Sequence, residues 1–429
     1  MTIVDNSITL SKSELPQKWR NILPLLPTPL GPYRAPDGSD IPPAALGAIF
    51  PAQLIDQEFS PSEWVDIPEP VLEAYARWRP TPLVRARSLE AALKVRSKIY
   101  FKNESLSPSG SHKSNTALAQ AYYNQAAGIA RLATETGAGQ WGTALSIAAR
   151  HFNLAIRVYM VKVSLEQKPY RKTIMSLMGA EVLSSPSQLT QAGRAALAQD
   201  PQTPGSLGLA ISEAVEEAAS RPDTNYSLGS VLNHVLLHQT IIGLEVKKQL
   251  ASIGQKPDYL IACHGGGSNF GGLVCPFVPE VLAGEKIQLL AAEPAACPSL
   301  TQGVYGYDYG DMAKLTPLMP MYSLGADFVP PAIHAGGLRY HGASPIVSAL
   351  IKDGLAKAET VTAMEAFNRA KLFANTEYLV PAPESSHALA LTCQKALDLE
   401  EAGTPGVLVF VLSGHGLLDL AAYEAAPRP

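Results

Sequence analysis

Cysteine and long apolar runs are both scarce in this sequence of 429 residues. Its four cysteines are too few and too far apart for a disulfide scaffold or a CxxC zinc site, so we expect a reducing compartment and no metal centre. No apolar run approaches the roughly 18 residues of a membrane helix, and the first twenty residues lack the apolar core of a secretory signal. A cytoplasmic protein without a membrane partner is expected.

Basic residues are also too few, and too evenly spread, for nucleic-acid binding. Lys and Arg total 34 against 38 Asp and Glu, and no stretch concentrates them as contact with a phosphate backbone requires. Apolar residues make up 46% and charged residues 17%, which is too hydrophobic a composition for disorder. The chain is therefore expected to be globular and, at about 150 residues per domain, to form two or three domains.

Proline is unevenly placed, with 14 of the 35 prolines in residues 1–82. Because proline fixes φ and lacks an N–H donor, this stretch predicts extended segments and turns, with short helices such as one over 61–76. Bulky side chains such as Trp19 and Phe50 favour an N-terminal extension, residues 1–78, that packs on the core. A flexible leader is the alternative.

From about residue 98, short apolar strands alternate with helical segments of 10–15 residues. This alternation predicts an α/β fold with parallel sheets, and strands such as 407–412 are apolar enough to be covered on both faces. Ligands of such folds bind beyond the carboxyl ends of the strands. The loops predicted to matter are 103–115, 135–142, 263–270, 377–387 and 412–419.

The strongest local signal is a triple glycine that follows an apolar strand and opens a helix. The run reads His264, Gly265, Gly266, Gly267, Ser268, Asn269. Glycine allows close backbone approach, and the free N–H groups at a helix start favour an anion. The spacing fits neither a P-loop nor a dinucleotide fingerprint, so it predicts a cup for one phosphomonoester. The alternative is a turn that needs glycine for sterics alone.

Lys113 lies between a Gly/Ser turn at 109–111 and an apolar helix predicted over 114–128. Desolvation and the positive end of the helix both disfavour its charged form, and an uncharged lysine can attack a carbonyl carbon. Taken alone, a lysine in this setting is more typical of a solvent-facing side chain. Combined with the phosphate cup, it predicts pyridoxal phosphate held covalently by Lys113.

Three further loops carry candidate groups. The run Glu135-Thr136-Gly137-Ala138-Gly139-Gln140 offers consecutive backbone N–H groups for a carboxylate and a glutamate as general base, or else it is a helix-capping turn. Glu384 precedes a helix, where a simple interaction with the helix dipole is the alternative. Ser413 follows the last apolar strand and is placed to meet a ring nitrogen, unless it only ends the strand.

Five runs in this order resemble the tryptophan synthase β-chain family, the pyridoxal-phosphate enzymes of fold type II. They are GSHKSNTA (110–117), ETGAGQWGTA (135–144), HGGGSN (264–269), VPAPESSHA (380–388) and LSGHG (412–416). The Pro-rich start and GLRYHG (337–342) are similar to the longer, second type of β chain. The resemblance implies two domains with the cofactor between them. The smaller, mobile one is 112–229, and the larger one, which binds the phosphate, combines 79–111 with 230–429.

The resemblance also implies residue roles. Lys113 carries the cofactor and moves the proton of the substrate Cα, and Glu135 acts near the leaving group and indole. Thr136, Gly137, Ala138, Gly139 and Gln140 bind the substrate carboxylate. The cofactor residues are His112, Lys113, Asn115, Gly265, Gly266, Gly267, Ser268, Asn269, Glu384 and Ser413. A neutral Ser413 leaves the pyridine ring unprotonated, which favours β-elimination over transamination.

The implied activity is that of a lyase of tryptophan biosynthesis. It replaces the β-substituent of L-serine or O-phosphoserine with indole and gives L-tryptophan. A homodimer without a stable α-subunit complex is expected. The alternatives are β-replacement with a different nucleophile, serine deamination, or a catalytically silent regulatory protein that binds the cofactor.

Two positions depart from the family pattern. Tyr378 stands where the family has glycine, and His264 where it has a small apolar residue. Both lie in loops expected to converge on the cofactor, and a buried phenol or imidazole requires a hydrogen-bond partner. Tyr378 therefore either points away from the pocket or narrows it, and in the second case it changes the choice among acceptors.

Overall fold

Fifteen strands and seventeen α-helices alternate along residues 6–425, the part of the chain that the computed structural model describes. The strands are β1 Ser7–Ile8, β2 Lys18–Arg20, β3 Trp64–Asp66, β4 Leu83–Arg85, β5 Lys98–Asn103, β6 Arg131–Thr136, β7 Ala155–Val161, β8 Glu181–Ser185, β9 Thr224–Tyr226, β10 Tyr259–Cys263, β11 Gln288–Pro294, β12 Val304–Tyr309, β13 Leu318–Ser323, β14 Lys357–Val361 and β15 Val407–Leu412. The helices are α1 Ala52–Glu58, α2 Glu69–Tyr75, α3 Arg87–Leu93, α4 Ser114–Ala126, α5 Gln140–His151, α6 Lys162–Gln167, α7 Pro169–Leu177, α8 Gln191–Gln199, α9 Leu207–Ala219, α10 Asn233–Gln239, α11 Ile241–Ser252, α12 Ser268–Val274, α13 Val278–Leu282, α14 Pro345–Lys352, α15 Ala363–Glu377, α16 Pro383–Glu401 and α17 Leu420–Ala425.

Two parallel-rich sheets organise the chain. The larger has the order β1-β4-β5-β15-β10-β11-β14, with parallel pairing from β5 to β14 and an antiparallel edge at β1 and β4. The smaller has the order β8-β7-β6-β9 and is wholly parallel. The inner strands β10 and β15 are almost entirely buried apolar residues, as a sheet covered on both faces requires. The predicted α/β class is confirmed.

All four strands of the smaller sheet lie inside 112–229, the range predicted for the smaller domain. The mobility of that range and the division into three parts stay predictions. Residues 1–5 of the predicted extension and 426–429 of the larger domain lie outside the described residues. Among residues 6–425, no helix combines the length and apolar character needed to cross a bilayer.

The extension packs on the helices that follow the smaller sheet. Trp19 is fully buried and its ring contacts that of His238, with 4.5 Å between centroids. Glu58 accepts hydrogen bonds from the backbone N–H groups of Asn233 and His234, both at 2.9 Å, and so caps the start of α10. This cap attaches the extension directly to the segment that leads into the pocket described below.

The helix predicted over 61–76 is wrong in its first half. That stretch contains β3 and the much shorter helix α2, which begins at Glu69. The reason is Pro68, because a residue that precedes proline is disfavoured in helical conformation and Ile67 therefore stays extended.

Candidate active site

The loops after β5 and β15 lie side by side at the carboxyl ends of the larger sheet. The N–H of His112 donates to the carbonyl oxygen of Ser413 at 2.9 Å, and Ser111 pairs with Gly414 as an isolated bridge. Lys113 and Ser413 are thereby held next to each other, although 300 residues separate them. The loop after β10 completes the same edge.

These loops enclose a polar pocket of about 350 Å³, part of it open to solvent. Its lining is His112, Lys113, Gln140, Ser230, Cys263, Gly265, Gly266, Gly267, Ser268, Asn269, Gly337, Leu338, Glu384 and Ser413. The structure therefore brings together nine of the ten residues predicted to bind the cofactor.

The triple glycine is sterically required. A Cβ atom added at Gly265 would lie 2.7 Å from the carbonyl oxygen of Gly337, and one at Gly266 would lie 2.6 Å from Oγ of Ser230. Gly267 has φ near +113°, which side-chain-bearing residues rarely adopt. The sterics alone agree with either interpretation of the run.

An unpartnered polar atom favours a ligand in the cup. Oδ1 of Asn269 is buried without a hydrogen-bond partner among the described residues, although its Nδ2 donates to Sγ of Cys263 at 3.2 Å. Ser413 lies beyond Cys263, and its hydroxyl is 2.7 Å from that of Ser385. One end of the pocket offers glycine N–H groups, hydroxyls and an unsatisfied amide, which fit the phosphate of pyridoxal phosphate. The other end offers the neutral hydroxyl of Ser413, which fits the ring nitrogen.

Lys113 faces this pocket and has the electrostatics predicted for it. Burial lowers the pKa of Lys113 to about 8, against the opposing charges of Glu135 and Glu384. Its Nζ donates to the carbonyl oxygen of Gly229 at 2.9 Å. Burial also lowers the pKa of His112 to about 3, so its imidazole is neutral. A lysine that deprotonates near pH 8 is a competent nucleophile.

An apolar pocket of about 970 Å³, also partly open, continues from the polar one. The two share Lys113, Gln140, Ser230, Gly266 and Gly337. The walls of the apolar pocket include Tyr33, Leu46, Ile49, Phe50, Trp141, Leu207, Ile211, Tyr226, Leu228, Val231, Leu232, Met319 and Tyr340. A flat aromatic molecule is the type of ligand that such walls favour.

Glu135 is the carboxyl group in the apolar pocket. Burial raises the pKa of Glu135 to about 7, while the hydroxyl of Tyr226 beside it acts in the opposite direction. Neither Oε2 of Glu135 nor the hydroxyl of Tyr226 makes a hydrogen bond of ordinary geometry among the described residues. A carboxyl group that titrates near neutrality is suited to proton transfer.

The loop 136–140 leads into the start of α5, where the first helical N–H groups have no intrahelical partner. Thr136, Gly137, Ala138 and Gln140 line the apolar pocket. Gln140 donates to one oxygen of Glu384 at 3.1 Å, and the N–H of Gly337 donates to the other at 2.8 Å. Glu384 therefore links this loop to the larger sheet's side of the pocket.

Gly139 lies behind the loop rather than in the pocket lining. It has φ near +88°, and an added Cβ would be 2.7 Å from Cδ of Arg171. Arg171 and Lys168 both form ion pairs with Asp419, at 3.2 and 2.6 Å. The loop therefore packs, at Gly139, on the buried ion pairs of Lys168, Arg171 and Asp419, which join the start of α7 to the C-terminal segment.

Asn115 is not brought to the pocket with the other predicted residues. Its Oδ1 accepts from Arg79 at 2.8 Å, and its Nδ2 donates to Glu104 and Gln239. Arg79 forms buried ion pairs with Glu104 and Glu245 as well. The amide is therefore engaged in a buried network, on the opposite face of the start of α4 from the side on which Lys113 faces the pocket.

Tyr378 does not narrow the pocket. It ends α15 in the left-handed conformation, with φ 58° and ψ 26°, and its side chain is 87% exposed. Glycine is favoured at this helix end because of its positive φ, not because of the cofactor. The interpretation of Tyr378 as an acceptor-selecting residue is therefore wrong.

His264 is buried, as expected for its loop, but the hydrogen bond predicted for it is absent. Neither ring nitrogen has a partner among residues 6–425, and the side chain is 1% exposed. Burial lowers the pKa of His264 to about 3 and keeps it neutral. His264 does not line either pocket.

Several pocket residues were not identified from the sequence. They include Ser230, Tyr226 and the extension residues Tyr33 and Phe50, and the last three come from segments with no glycine cluster or helix-start signal. Only the LGS run at 228–230, just before a helix, carried a local signal of a turn.

Comparison with known proteins agrees with this geometry. The family model described as "Pyridoxal-phosphate dependent enzyme" matches residues 76–414. The chain is 58% identical over 417 residues to tryptophan synthase beta chain 2 of Thermotoga maritima, covering 97% of this chain and 99% of that protein. It is 53% identical over 426 residues to tryptophan synthase beta chain 2 of Methanosarcina acetivorans, covering 99% and 96%.

Among solved structures, the chain is similar to a fungal L-serine ammonia-lyase from Rhizomucor miehei, with a TM-score of 0.58 at 18% identity. It is also similar to a threonine deaminase from T.th., with a TM-score of 0.57 at 21% identity. Both likenesses cover 80% of this chain and 96% of the other. At this identity they establish the fold alone, and the predicted fold type II is confirmed.

Proposed function

The chain belongs to the family of pyridoxal-phosphate dependent enzymes, and on that premise we propose that it catalyses the β-replacement of a tryptophan synthase β chain. In this reaction C3 of indole replaces the β-hydroxyl of L-serine, and the products are L-tryptophan and water. The observation that carries the proposal is the continuity of the two pockets. Lys113 lies where they join, and Glu135 lies in the apolar one.

The cofactor site is assigned to the polar pocket. The residues proposed to hold the cofactor are His112, Lys113, Gly265, Gly266, Gly267, Ser268, Asn269, Glu384 and Ser413. Pyridoxal phosphate supplies, when bound, the electron sink that stabilises negative charge at the substrate's α-carbon. Asn115 is left out, because its amide is fully engaged with Arg79, Glu104 and Gln239.

The chain's own residues bind the substrates and move protons. The N–H groups and side chains of 136–140 hold the carboxylate of the amino acid at the start of α5. Lys113 removes the proton from Cα and later returns it to the same atom. Glu135 gives a proton to the departing β-hydroxyl and, once ionised, accepts a hydrogen bond from the N–H of indole. When C3 of indole has bonded to Cβ, the proton that C3 releases returns Glu135 to its protonated form. The apolar walls orient the flat ring and exclude water.

The charges of the pocket favour L-serine over O-phosphoserine as donor. Among the described lining residues, Lys113 is the only side chain with a positive charge, since the pKa of His112 is near 3. Glu135 and Glu384 are both close enough to Lys113 to affect its pKa. A phosphate leaving group would therefore approach two carboxyl groups without a cation of its own.

The donor and the acceptor are tested together. The holoenzyme is incubated with L-serine or O-phosphoserine and indole, and products are identified by mass spectrometry. We expect L-tryptophan from L-serine, with kcat/KM about tenfold or more above that for O-phosphoserine, since about 1.4 kcal/mol of repulsion suffices. Consumption of serine without an indole adduct, while another nucleophile in a parallel panel is incorporated, would exclude indole as acceptor.

We also propose a cytoplasmic homodimer that works without an α subunit. The dimer is proposed because twofold dimers are the commonest oligomers. The cytoplasm is proposed because the four cysteines are free thiols, as is typical of a reducing compartment. The extension packs on α10 and α11 through α1 and β2, and it resembles that of the longer type of β chain. Size-exclusion chromatography with a tryptophan synthase α chain should show a dimer of this chain alone. The rate of L-tryptophan formation should not increase markedly when the α chain is added. A tight complex would show that the extension leaves the partner surface free.

A further inference from the structure

One wall of the apolar pocket, called the outer wall below because none of its residues lines the polar pocket, comes from the N-terminal extension. Tyr33, Leu46, Ile49 and Phe50 line the same pocket as Lys113 and Glu135. The family model begins its match only at residue 76. This part of the active site is therefore built by a segment outside the region that the family model describes.

The wall is attached at both ends. Arg34 exchanges two backbone hydrogen bonds with Leu318, at 3.0 and 2.9 Å, next to the pocket residue Met319. Ile49 accepts a hydrogen bond from the backbone N–H of Tyr226 at 3.0 Å. The segment 34–49 thus spans the pocket from β13 on one side to β9 on the other.

The ring of Phe50 is connected to Glu135 through Tyr226. Its ring lies 5.8 Å from that of Tyr226 and 5.6 Å from that of His234, measured between centroids. The hydroxyl of Tyr226 in turn lies beside Glu135. Phe50 therefore supports the aromatic ring that borders the carboxyl group.

Tyr33 contributes an apolar face in spite of its hydroxyl. The hydroxyl donates to Oε1 of Glu58, and Glu58 is fixed by its cap on α10. Because this bond engages the hydroxyl and the side chain is buried, Tyr33 offers the pocket its ring. Tyr33 and Phe50 are thus the aromatic residues of the outer wall. The hydrogen bond from Tyr33 to Glu58 and the one from the N–H of Tyr226 to Ile49, next to Phe50, hold them in place.

We propose that the extension is a specificity element, in which Phe50 and Tyr33 set the largest aromatic acceptor that the pocket admits. The inference rests on the proposed function, because it concerns the acceptor of that reaction. The nucleophilic carbon has to reach the junction near Lys113, so substituents on the far side of a bicyclic ring point toward the outer wall. An indole without such substituents fits, and one with a bulky group is excluded.

The test compares Phe50→Ala with Leu54→Ala in the holoenzyme. Leu54 is fully buried in the extension but does not line the pocket, so it controls for a general loss of packing. With L-serine as donor, kcat/KM is measured for indole and for 5-bromoindole. Phe50→Ala should shift the ratio about tenfold or more toward 5-bromoindole, while Leu54→Ala should leave it unchanged. Phe50→Leu serves if the alanine variant fails to fold.

Two outcomes separate this inference from the proposed function. If the wild-type holoenzyme forms L-tryptophan but no Phe50 variant changes the ratio, or if Leu54→Ala changes it equally, the wall has no selective role. If the wild type forms no product from indole, the proposed function fails instead. The wall is then tested by calorimetric Kd values of the two indoles. An unchanged ratio of Kd in Phe50→Ala overturns the inference in that case too.

Discussion

Replacing Lys113 by alanine should abolish turnover and covalent retention of the cofactor. The lysine combines a pKa lowered to about 8 with a position at the junction of the two pockets. Loss of proton transfer alone costs ~10²–10⁴-fold in rate, and loss of the covalent attachment adds to this, so a drop of at least about 10⁴-fold is expected. The measurements are turnover of serine with indole, and the near-visible absorbance after dialysis.

Lys113→Arg is the matched variant for this experiment. It keeps a positive charge beside Gly229 but cannot bond to the carbonyl carbon of the cofactor, so it should be as inactive as the alanine variant. Borohydride treatment of the wild type should add the mass of the reduced cofactor to the peptide that contains Lys113. A variant at this position that retains both the absorbance and the turnover would refute the assignment.

The sequence predicted the parts of the site in which several consecutive residues contact one ligand group. The lysine turn and the glycine cup follow β5 and β10 of the larger sheet, and the carboxyl ends of such strands meet at one edge, so their proximity followed from the fold class. The loop 136–140 follows β6 of the smaller sheet, and its place in the site was implied by the family resemblance instead. Asn115 was predicted by its closeness to Lys113 in the same run, but two steps along a helix rotate a side chain by about 200°, and the amide of Asn115 joins the buried network of Arg79 instead.

The outer wall could not be predicted, since its contacts join residues far apart in the chain. Nothing in the local pattern around Phe50 distinguishes packing against Tyr226 from packing elsewhere in the core. Tyr378 shows the opposite case. Its departure from the glycine of the family pattern was correctly noticed, but that position is the left-handed end of a helix and not a contact with a ligand.

The second large effect is expected at Glu135. Glu135→Gln should retain the cofactor and its absorbance, because the carboxyl group does not line the polar pocket. It should nevertheless lose ~10²–10⁴-fold in the rate of L-tryptophan formation, the typical contribution of a general acid or base. Separate measurements of cofactor content and of kcat distinguish this result from misfolding.

The pH dependence identifies Glu135 more sharply than the loss of rate does. Burial raises its pKa to about 7, so the carboxyl group is mainly protonated below pH 7 and ionised above it. The ionised carboxylate is a stronger acceptor for the N–H of indole than the protonated carboxyl group. The kcat/KM for indole should therefore rise with pH through about 7, whereas kcat/KM for L-serine, whose β-hydroxyl needs the protonated acid, should fall over the same range. Both changes should be missing from Glu135→Gln.

Glu293→Gln is the control for that profile. Burial also raises the pKa of Glu293, but its oxygens accept hydrogen bonds from Leu300 and Thr301 and it lines neither pocket. Its removal should leave the rise near pH 7 in place, even if stability falls. If Glu135→Gln keeps a near-wild-type rate and the same rise, Glu135 has only a structural role before the loop 136–140. The indole N–H then donates its hydrogen bond to another group or to water.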